Sequence, residues 1–377
     1  MNFSPDIAPY FMKFVALIGA LLGFALLVII HELGHFSFCK LFGVHTPSFS
    51  IGMGPILYKK RLGTTDFLIS ALPLGGYVEI AGMAEIAQGE QKHANAVDET
   101  SFQSKPYWQR FTILIGGILF NIIFAYLVYI GLFAFGMPSM TRLDGIKIMN
   151  IRQNSAAEKH GLCKNDCIIG VEKISFKEQP YTLQDFLKFL LANPHQTINL
   201  SVLHGDIVKQ LTVTLESRMD GNKEVGMIGA TFDAVNPEYT NEKHSFIDAI
   251  KKGVEAVNAM INNIVEGLKM LFKERTFKDM GGPVMILAQT FKSAEQGITF
   301  LLILLAIISV NLAIWNLLPL GALDGGQLIF TTIETIIRKP LPEIVRIIIN
   351  VASLVLFVGL ALYLTYTDII KLFGLGK

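Results

Sequence analysis

Four long apolar segments limit what this chain can fold into. They cover residues 14–38, 111–137, 297–323 and 347–367 and carry almost no charge. About 20 apolar residues suffice for a helix to cross a bilayer, and each segment reaches that length. Since only helices and closed barrels satisfy their backbone polar groups in lipid, the sequence predicts an α-helical polytopic membrane protein with four transmembrane helices. A composition of 51% hydrophobic and 17% charged residues fits this class.

Basic residues in the connections predict how the helices are oriented. Cytoplasmic loops of membrane proteins are enriched in lysine and arginine. Such residues are concentrated in the first connection and in the short last one: Lys40, Lys59, Lys60, Arg61, Lys92, Lys105, Arg110, Arg338, Lys339 and Arg346. We therefore expect both connections in the cytoplasm and residues 138–296 on the opposite side. Lys371 and Lys377 weakly favour the reverse orientation.

The motif HELGH, residues 31–35, ends the first apolar segment. Histidines four positions apart share one face of a helix, so both imidazoles can bind one Zn²⁺. The adjacent Glu32 can then act as general base on the attacking water. The alternative is a chance match or a structural histidine pair, but ionisable groups at membrane depth favour a functional site. We therefore predict His31 and His35 as zinc ligands, Glu32 as the catalytic residue, and hydrolysis within the membrane.

Asp324 is a second ionisable residue at membrane depth, and no charged residue precedes it after Glu295. A catalytic zinc usually has three protein ligands, whereas HExxH supplies two. Under the predicted orientation Asp324 and HELGH lie at the same side and at similar depth. Pro319 and the nearby glycines predict that the helix breaks just before Asp324. Asp324 could instead simply cap the next helix, but beside HExxH we favour metal ligation.

Several motifs together resemble the site-2 protease family of intramembrane zinc metalloproteases, nearest to its bacterial RseP-like branch of regulators of sigma-E proteolysis. The resemblance extends from about Phe14 to about Tyr366. The motifs, in the order of the family, are HELGH, GMGP with LPLGGYV, GGILFN, GGPV and NLLPLGALDGG.

This resemblance implies roles for five residues. It implies that His31, His35 and Asp324 hold one Zn²⁺. It further implies that Glu32 is the general base and that Asn316 contacts the substrate backbone.

The chain departs from the family pattern at two positions. Gly321 stands where the family usually has proline, and Gln327 stands where it usually has histidine. Neither position holds a metal ligand in the family, so only the local helix geometry is expected to differ. The better-known enterobacterial relatives carry two PDZ domains, and this chain has room for one.

Residues 47–80 are rich in glycine and β-forming side chains, which predicts β-hairpins. By the resemblance this region is a re-entrant β-loop, and an edge strand there can pair with an extended substrate. An ordinary cytoplasmic hairpin is the alternative. Gly117 and Asn121 share one face of the second apolar segment, which we interpret as small-residue packing with Gly117 allowing close approach to the catalytic helix. The strand residues predicted to contact substrate are Leu68, Ile69, Ser70 and Ala71.

Residues 138–217 alternate short β-rich runs with turns and predict one helix near 183–191. The stretch 154–166 resembles the PDZ pattern of HtrA and site-2 proteases, so we predict one extracytoplasmic PDZ (α+β) domain. Such domains bind extended peptides by strand addition, and a steric filter is a compatible role. Cys163 and Cys167 could form a disulfide only if the backbone brings both sulfurs together. A second metal site is disfavoured because no third ligand is apparent.

The remaining segments complete the predicted organisation. Residues 244–272 predict an amphipathic helix, which lies on the membrane or against the core, or else packs as a soluble helix. The predicted regions are a first transmembrane helix (1–38), a cytoplasmic loop (39–106) with hairpins at 47–80, a second transmembrane helix (107–137), the PDZ domain (138–217), a linker strand and amphipathic helix (218–296), a third transmembrane segment (297–324), a cytoplasmic loop (325–346), and a fourth transmembrane helix with the tail (347–377).

The predicted function is zinc-dependent cleavage of transmembrane segments in single-pass membrane proteins. The resemblance implies a bacterial inner-membrane protein with its PDZ domain in the periplasm, and substrates such as anti-sigma factors or signal-peptide remnants that another protease has already cut. The net charge of +1, without a zinc-finger or RNA-binding signature, argues against nucleic acid as a partner. One alternative is a membrane-anchored PDZ scaffold with an inactive protease core, which the intact motif residues disfavour. A zinc transporter is also disfavoured, because the predicted ligands cluster at one depth.

Overall fold

The computed structural model describes residues 8–83, 98–205, 207–220, 223–274 and 281–373. Two compact units divide the chain, one formed by Met1–Ala134 with His244–Lys377 and the other by Phe135–Lys243. The helices are α1 (Ala8–Leu41), α2 (Tyr107–Phe135), α3 (Ala156–Lys159), α4 (Leu183–Ala192), α5 (Phe246–Glu274), α6 (Pro283–Gln296), α7 (Ile298–Asn316), α8 (Asp324–Ile337) and α9 (Glu343–Phe373). The strands are β1 (Ser48–Leu62), β2 (Thr65–Val78), β3 (Met137–Arg142), β4 (Gly145–Ile151), β5 (Cys167–Val171), β6 (Ile174–Ser175), β7 (Thr197–His204), β8 (Ile207–Thr214), β9 (Glu216–Asp220), β10 (Lys223–Met227), β11 (Ala230–Val235) and β12 (Glu238–Glu242).

Four helices of the described chain are long and apolar enough to cross a membrane, as predicted. They cover Lys13–Leu41, Tyr107–Phe135, Ile298–Asn316 and Glu343–Ile370. The third is shorter than the predicted 297–324, because α7 ends at Asn316 and an irregular segment, 317–323, leads to α8. Pro319 explains this end, since proline disfavours helix in the preceding residue and cannot donate to a helical hydrogen bond.

The predicted cytoplasmic loop 325–346 consists for most of its length of helix α8. Asp324 is the first residue of α8 and Leu323 is the N-cap. The next two residues, Gly325 and Gly326, are buried against the backbone of the segment before them, so that carbon atoms at their Cβ positions would overlap carbonyl oxygens of residues 317, 318 and 320. This contact depends on the fold of the segment 317–323, which no periodic pattern in the sequence describes.

Glycines bring α1 and α2 into direct backbone contact. A Cβ at Gly34 would overlap the carbonyl of Gly116, and a Cβ at Gly116 would lie 2.7 Å from the carbonyl oxygen of Gly34. Small residues allow this kind of close helix crossing in membranes. The sequence interpretation gave this role to Gly117, and the structure gives it to Gly116 and Gly117 together, because a Cβ at Gly34 would also lie 2.8 Å from the backbone nitrogen of Gly117.

Strands β1 and β2 form a small sheet in which the segments pair more than once. Residues 48–51 lie between 66–69 on one side and 76–78 on the other. Residues 56–62 pair with 65–70 and form the far edge. The other edge of the sheet is therefore the segment 76–78.

The helix α5 packs against the helical core, one of the positions expected for the amphipathic helix. A Cβ at Gly253 would lie 2.6 Å from Cγ1 of Ile130 on α2, so the two helices cross closely there. Tyr126 of α2 also donates a hydrogen bond to Asn258, with 2.6 Å between the oxygens. Ala249 and Val257 are buried on the same helix, whereas the first residues of α5 stay exposed.

The second unit is an α+β domain around one sheet. Strand order in this sheet is β11-β4-β5-β7-β8, with β6 paired to β5. Its core contains Ile168, Phe176 and Phe186, which are fully buried. The predicted helix is present as α4, and Thr182 and Asp185 form a capping box at its start.

The predicted boundary of this domain at residue 217 is too early. Strand β11 pairs with β4, and β12 pairs with β3, so the unit continues to Lys243. The predicted linker strand is therefore part of the domain. Both pairings join residues far apart in sequence, and strand propensity alone does not reveal such partners.

Candidate metal centre

The HELGH motif lies in the last turns of α1, where its two histidines point to one side. His31 and His35 are 9% and 7% exposed, and their Nε2 atoms are 3.2 Å apart. The helix α1 continues through the motif to Leu41, after which Gly43 leaves the helical region at φ +66°. Helical spacing therefore places both imidazoles in one buried position beside α2.

Asp324 completes a triangle with the two histidines. Its Oδ2 lies 3.2 Å from Nε2 of His31 and 3.5 Å from Nε2 of His35. Three ligands of a tetrahedral zinc, bound at about 2.0–2.2 Å, lie about 3.3–3.6 Å from one another. The same Oδ2 is buried and makes no hydrogen bond to any residue that the structure describes. The three atoms therefore have the spacing and chemistry of a zinc site, and His31, His35 and Asp324 form a group that could hold a metal ion.

Hydrogen bonding fixes the tautomer of His35 in the form that a metal requires. Its Nδ1 is 2.8 Å from the carbonyl oxygen of Ile113, so Nδ1 must carry the hydrogen that is donated. The lone pair of a neutral ring then lies on Nε2, which faces His31 and Asp324. Support of this kind from outside the ligand set commonly orients metal-binding histidines.

Asn121 supports His31 in a similar way, and the sequence interpretation missed this role. Its amide is fully buried and lies 3.1 Å from Nδ1 of His31, with Nδ2 as the nearer atom. The amide oxygen makes no hydrogen bond to a described residue. If Nε2 of His31 binds a metal, Nδ1 carries a hydrogen, and an amide turned by 180° accepts it. An amide in an otherwise apolar span was the signal available in the sequence.

We expect Asn121→Leu to weaken zinc binding by about 10- to 100-fold, the usual cost of losing a hydrogen bond to a metal-binding histidine. Asn121→Asp should retain most of the affinity, because a carboxylate still accepts from Nδ1. Zinc affinity is measured by competition with a chromogenic chelator. Tyr126→Phe, on the same helix but outside the site, is the control. Equal affinity for Asn121→Leu and the control would contradict the role.

Gly117 makes room for both rings. A Cβ there would overlap Nε2 of His35 and lie 2.6 Å from Cε1 of His31. Any side chain at this position would displace the imidazoles from Asp324. The role of Gly117 is therefore in the metal centre itself.

Glu32 lies beside the triangle without belonging to it. Its carboxyl group is close enough to interact electrostatically with His31, His35 and Asp324, and it accepts a hydrogen bond from the backbone of Val78. The N–H of Glu79 bonds to Ser48 within the sheet at 2.9 Å. Neighbouring N–H groups of a strand point in opposite directions, so the N–H of Val78 points out of the sheet edge toward α1. Glu32 is thus held next to the ligands by the sheet.

The structure places the first two residues of the predicted substrate-binding strand in the interior of the sheet. Leu68 has Ser50 on one side and Lys59 on the other, and Ile69 has partners on both sides as well. Ser70 is buried, and Ala71 is exposed in the same strand. Leu68 and Ile69 therefore do not form a free edge, and Ser70 pairs with Ile56. The double pairing of β2 could not be read from its composition. The edge beside Glu32 is Gly76–Val78, and a Cβ at Gly76 would lie 3.8 Å from Cγ of Glu32.

Asn316 is the last residue of α7 and is half-buried. It stands at the start of the segment that leads to Asp324, and the structure gives it no contact that would assign a role.

Cys163 and Cys167 are free thiols and do not form a disulfide. Contrary to the expectation that no third ligand is nearby, Cys163 lies within 4.8 Å of ligand atoms on Asp166 and His204. Asp166, however, already accepts hydrogen bonds from the N–H of Cys163 at 2.9 Å and from Nδ1 of His204 at 2.6 Å. These bonds account for the cluster as a capped turn. Burial raises the pKa of the Cys167 thiol, which makes it a weaker nucleophile.

Comparison with known proteins agrees with this site. A zinc metalloprotease of Clostridium perfringens, as its name describes it, is 31% identical over 356 residues, which cover 94% of this chain and 98% of that protein. A similarly named protein of Campylobacter jejuni is 30% identical over 97% of this chain and 95% of its own length. The chloroplastic membrane metalloprotease ARASP of Arabidopsis thaliana is 28% identical over 96% of this chain and 80% of its own length.

Among solved structures, the PDZ domain of an SdrC-like protein from Listeria monocytogenes matches with 22% identity and a TM-score of 0.21, covering 25% of this chain and 93% of that domain. The sequence profile of Peptidase family M50 matches residues 19–360, which is nearly the whole chain. The chain therefore belongs to Peptidase family M50, the site-2 protease family, and is a membrane metalloprotease.

Proposed function

We propose that this protein is an intramembrane zinc metalloprotease that hydrolyses peptide bonds within transmembrane segments of single-pass membrane proteins. The observation that supports this most is the convergence of His31, His35 and Asp324 at the end of a membrane helix, with Glu32 beside them. One zinc per chain is the proposed stoichiometry, since these residues form a single set of three ligands.

The residues of the site have two different roles, which are to hold the metal and to transfer protons. His31, His35 and Asp324 would hold the zinc, which acts as a Lewis acid and activates water when bound. Glu32 takes one proton from the attacking water onto its carboxylate. The same carboxyl group then returns that proton to the nitrogen of the leaving amine. The hydrogen bond from Val78 keeps the carboxylate directed at the reaction centre.

The substrate must reach this site as an extended chain, because a helix buries its carbonyls in its own hydrogen bonds. An unwound segment in lipid needs replacement partners, since each unpaired amide costs several kcal/mol. The half-buried backbone of Gly75 and Gly76 next to Glu32 supports this sheet edge as the partner. Asn316 is the second candidate for a contact with the substrate backbone.

We further propose the orientation that the basic residues favour. The hairpin region and α8 would then lie toward the cytoplasm, and residues 135–243 would form a PDZ domain in the periplasm of a bacterial inner-membrane protein. A domain in that position suits recognition of cut substrates or exclusion of large ones. Substrates pre-cut by another protease, such as anti-sigma factors and signal-peptide remnants, fit this arrangement.

We expect a transmembrane peptide interrupted by glycine or proline to be cleaved faster than a poly-leucine span of matched binding, because less helix must be unwound. The test uses purified zinc-loaded protein in lipid nanodiscs, with product formation measured by mass spectrometry and Glu32→Gln as the inactive control. Equal rates for the two peptides would overturn the unwinding requirement. Cleavage of neither peptide would instead favour an inactive PDZ scaffold. Zinc uptake in a separate assay, with the protein reconstituted in vesicles, would favour transport.

A further inference from the structure

The segment 317–323 carries Asp324 into the metal centre, and its contacts converge on Gly321. The N–H of Gly321 donates to Oγ of Ser353 at 2.9 Å. Its carbonyl accepts from Nε2 of Gln327 at 2.7 Å. A Cβ at Gly321 would lie 2.5 Å from Oδ1 of Asn350. The backbone of one buried glycine is thus held from three sides, twice by α9 and once by α8.

The two α9 residues face the interior. Ser353 is 8% exposed and Asn350 is 4% exposed, whereas Val355 on the same helix is 66% exposed. The hydroxyl of Ser353 donates to the carbonyl of Ile349 at 2.8 Å, which leaves its lone pairs directed at the Gly321 N–H. Oδ1 of Asn350 is buried without a hydrogen bond to any described residue. The hydroxyl of Ser353 is therefore fixed by its hydrogen bonds, and the side chain of Asn350 is confined by burial.

A displacement of Gly321 would also move the first turn of α8. Gly325 and Gly326 pack without any intervening side chain on the carbonyls of Leu317, Leu318 and Leu320. The segment and the first turn of α8 are consequently in backbone contact, and Asp324 is the residue that begins this turn.

We propose that Ser353, Asn350 and Gln327 are positioning residues that lock Gly321 and thereby hold Asp324 against His31 and His35. This rests on the proposed role of Asp324 as a zinc ligand. It also gives a physical reason for glycine rather than proline at position 321. Proline at 321 has no N–H for Ser353 and would need the space that Asn350 occupies, and Gln327 supplies the donor for the Gly321 carbonyl.

The first test removes the hydrogen bond between the N–H of Gly321 and Ser353. Ser353→Ala leaves a buried N–H without a partner, which costs more than the hydrogen bond alone. We expect zinc to leave the purified protein for an excess of chelator roughly five- to tenfold faster. Ser353→Thr, which keeps the hydroxyl, should restore the slow rate. Val355→Ala, on the exposed face of the same helix, should not change it. A release rate for Ser353→Ala equal to that of Val355→Ala would overturn the proposal.

The second test fills the space between Gly321 and Asn350 instead of removing a hydrogen bond. Gly321 does not lie in the left-handed region, so its backbone accepts alanine. Gly321→Ala should lower the thermal unfolding midpoint and accelerate zinc release, because the new methyl group overlaps Asn350. The double variant Gly321→Ala with Asn350→Ala should recover much of both properties, because the contact at 2.5 Å is removed while Cγ2 of Ile349 stays 3.1 Å from the new methyl group. If Gly321→Ala changes the unfolding midpoint and the zinc release rate equally in the presence of Asn350 and in the Asn350→Ala background, the contact does not lock the segment.

The unfolding midpoints are measured in metal-free protein as well. If Asp324→Ala leaves zinc binding unchanged, the proposed zinc site fails, while the Gly321 and Asn350 cycle in metal-free protein still decides whether the segment is locked. If the cycle shows no coupling, the positioning proposal fails and the zinc site is unaffected.

Discussion

Glu32→Gln should reduce peptide hydrolysis by about 10²- to 10⁴-fold and leave the zinc content unchanged. Glutamine has nearly the shape of glutamate but cannot accept and return a proton. Glu32 also lies outside the triangle of ligand atoms, so its charge is not needed to complete the metal site. The measurement combines a cleavage assay on a transmembrane peptide with zinc quantification by mass spectrometry on the same preparation.

Glu32→Asp provides a matched control for this result. It keeps a carboxylate but shortens the side chain, so it should retain zinc and partial activity. Loss of zinc from Glu32→Gln would mean that Glu32 is a ligand. Full activity in Glu32→Gln would show that Glu32 does not transfer the proton.

Asp324→Ala should abolish both zinc retention and hydrolysis. The remaining histidines would form a two-ligand site, and catalytic zinc usually requires three protein ligands. We expect a larger loss of affinity than the roughly 10- to 100-fold caused by removing a supporting hydrogen bond. Zinc is quantified after dialysis against buffer with a weak chelator.

Glu343→Ala is the control for removing a carboxylate, because Glu343 is an exposed residue at the start of α9. It should keep zinc and activity at the level of the unmodified protein. Retention of full zinc occupancy and turnover by Asp324→Ala would show that another residue is the third ligand.

The candidate metal centre could be predicted largely from the sequence because each of its residues is recognisable individually. HELGH has a fixed helical spacing, and that spacing places His31 and His35 together whatever surrounds them. Asp324 stands out because a carboxylate after a long uncharged run is costly unless it has a function. The four membrane helices follow from length and apolarity in the same way.

The errors concern residues whose neighbours are distant in sequence. The strand Leu68–Ala71 has the composition of an edge, and only the double pairing of β2 shows that Leu68 and Ile69 are interior. The α+β domain ends later than residue 217 because β11 returns to β4. Asn121 shares a helix face with Gly117, and nothing in that pattern says that its amide meets His31 from another helix.

The sequence by itself determined which chemistry this protein can perform and that the motif residues for it adjoin helices long and apolar enough to cross a membrane. The spacing of the motif residues determines the chemistry, and the cost of solvating apolar or charged side chains determines the membrane helices. Neither argument depends on the path of the chain. The tertiary structure alone decided which groups support the ligands. Asn121 and Ile113 orient the histidines, and Ser353 holds the segment before Asp324, through single hydrogen bonds between elements that are distant in the sequence. A hydrogen bond requires two atoms within about 3 Å at a suitable angle, and only the folded path of the chain brings such distant residues to that distance.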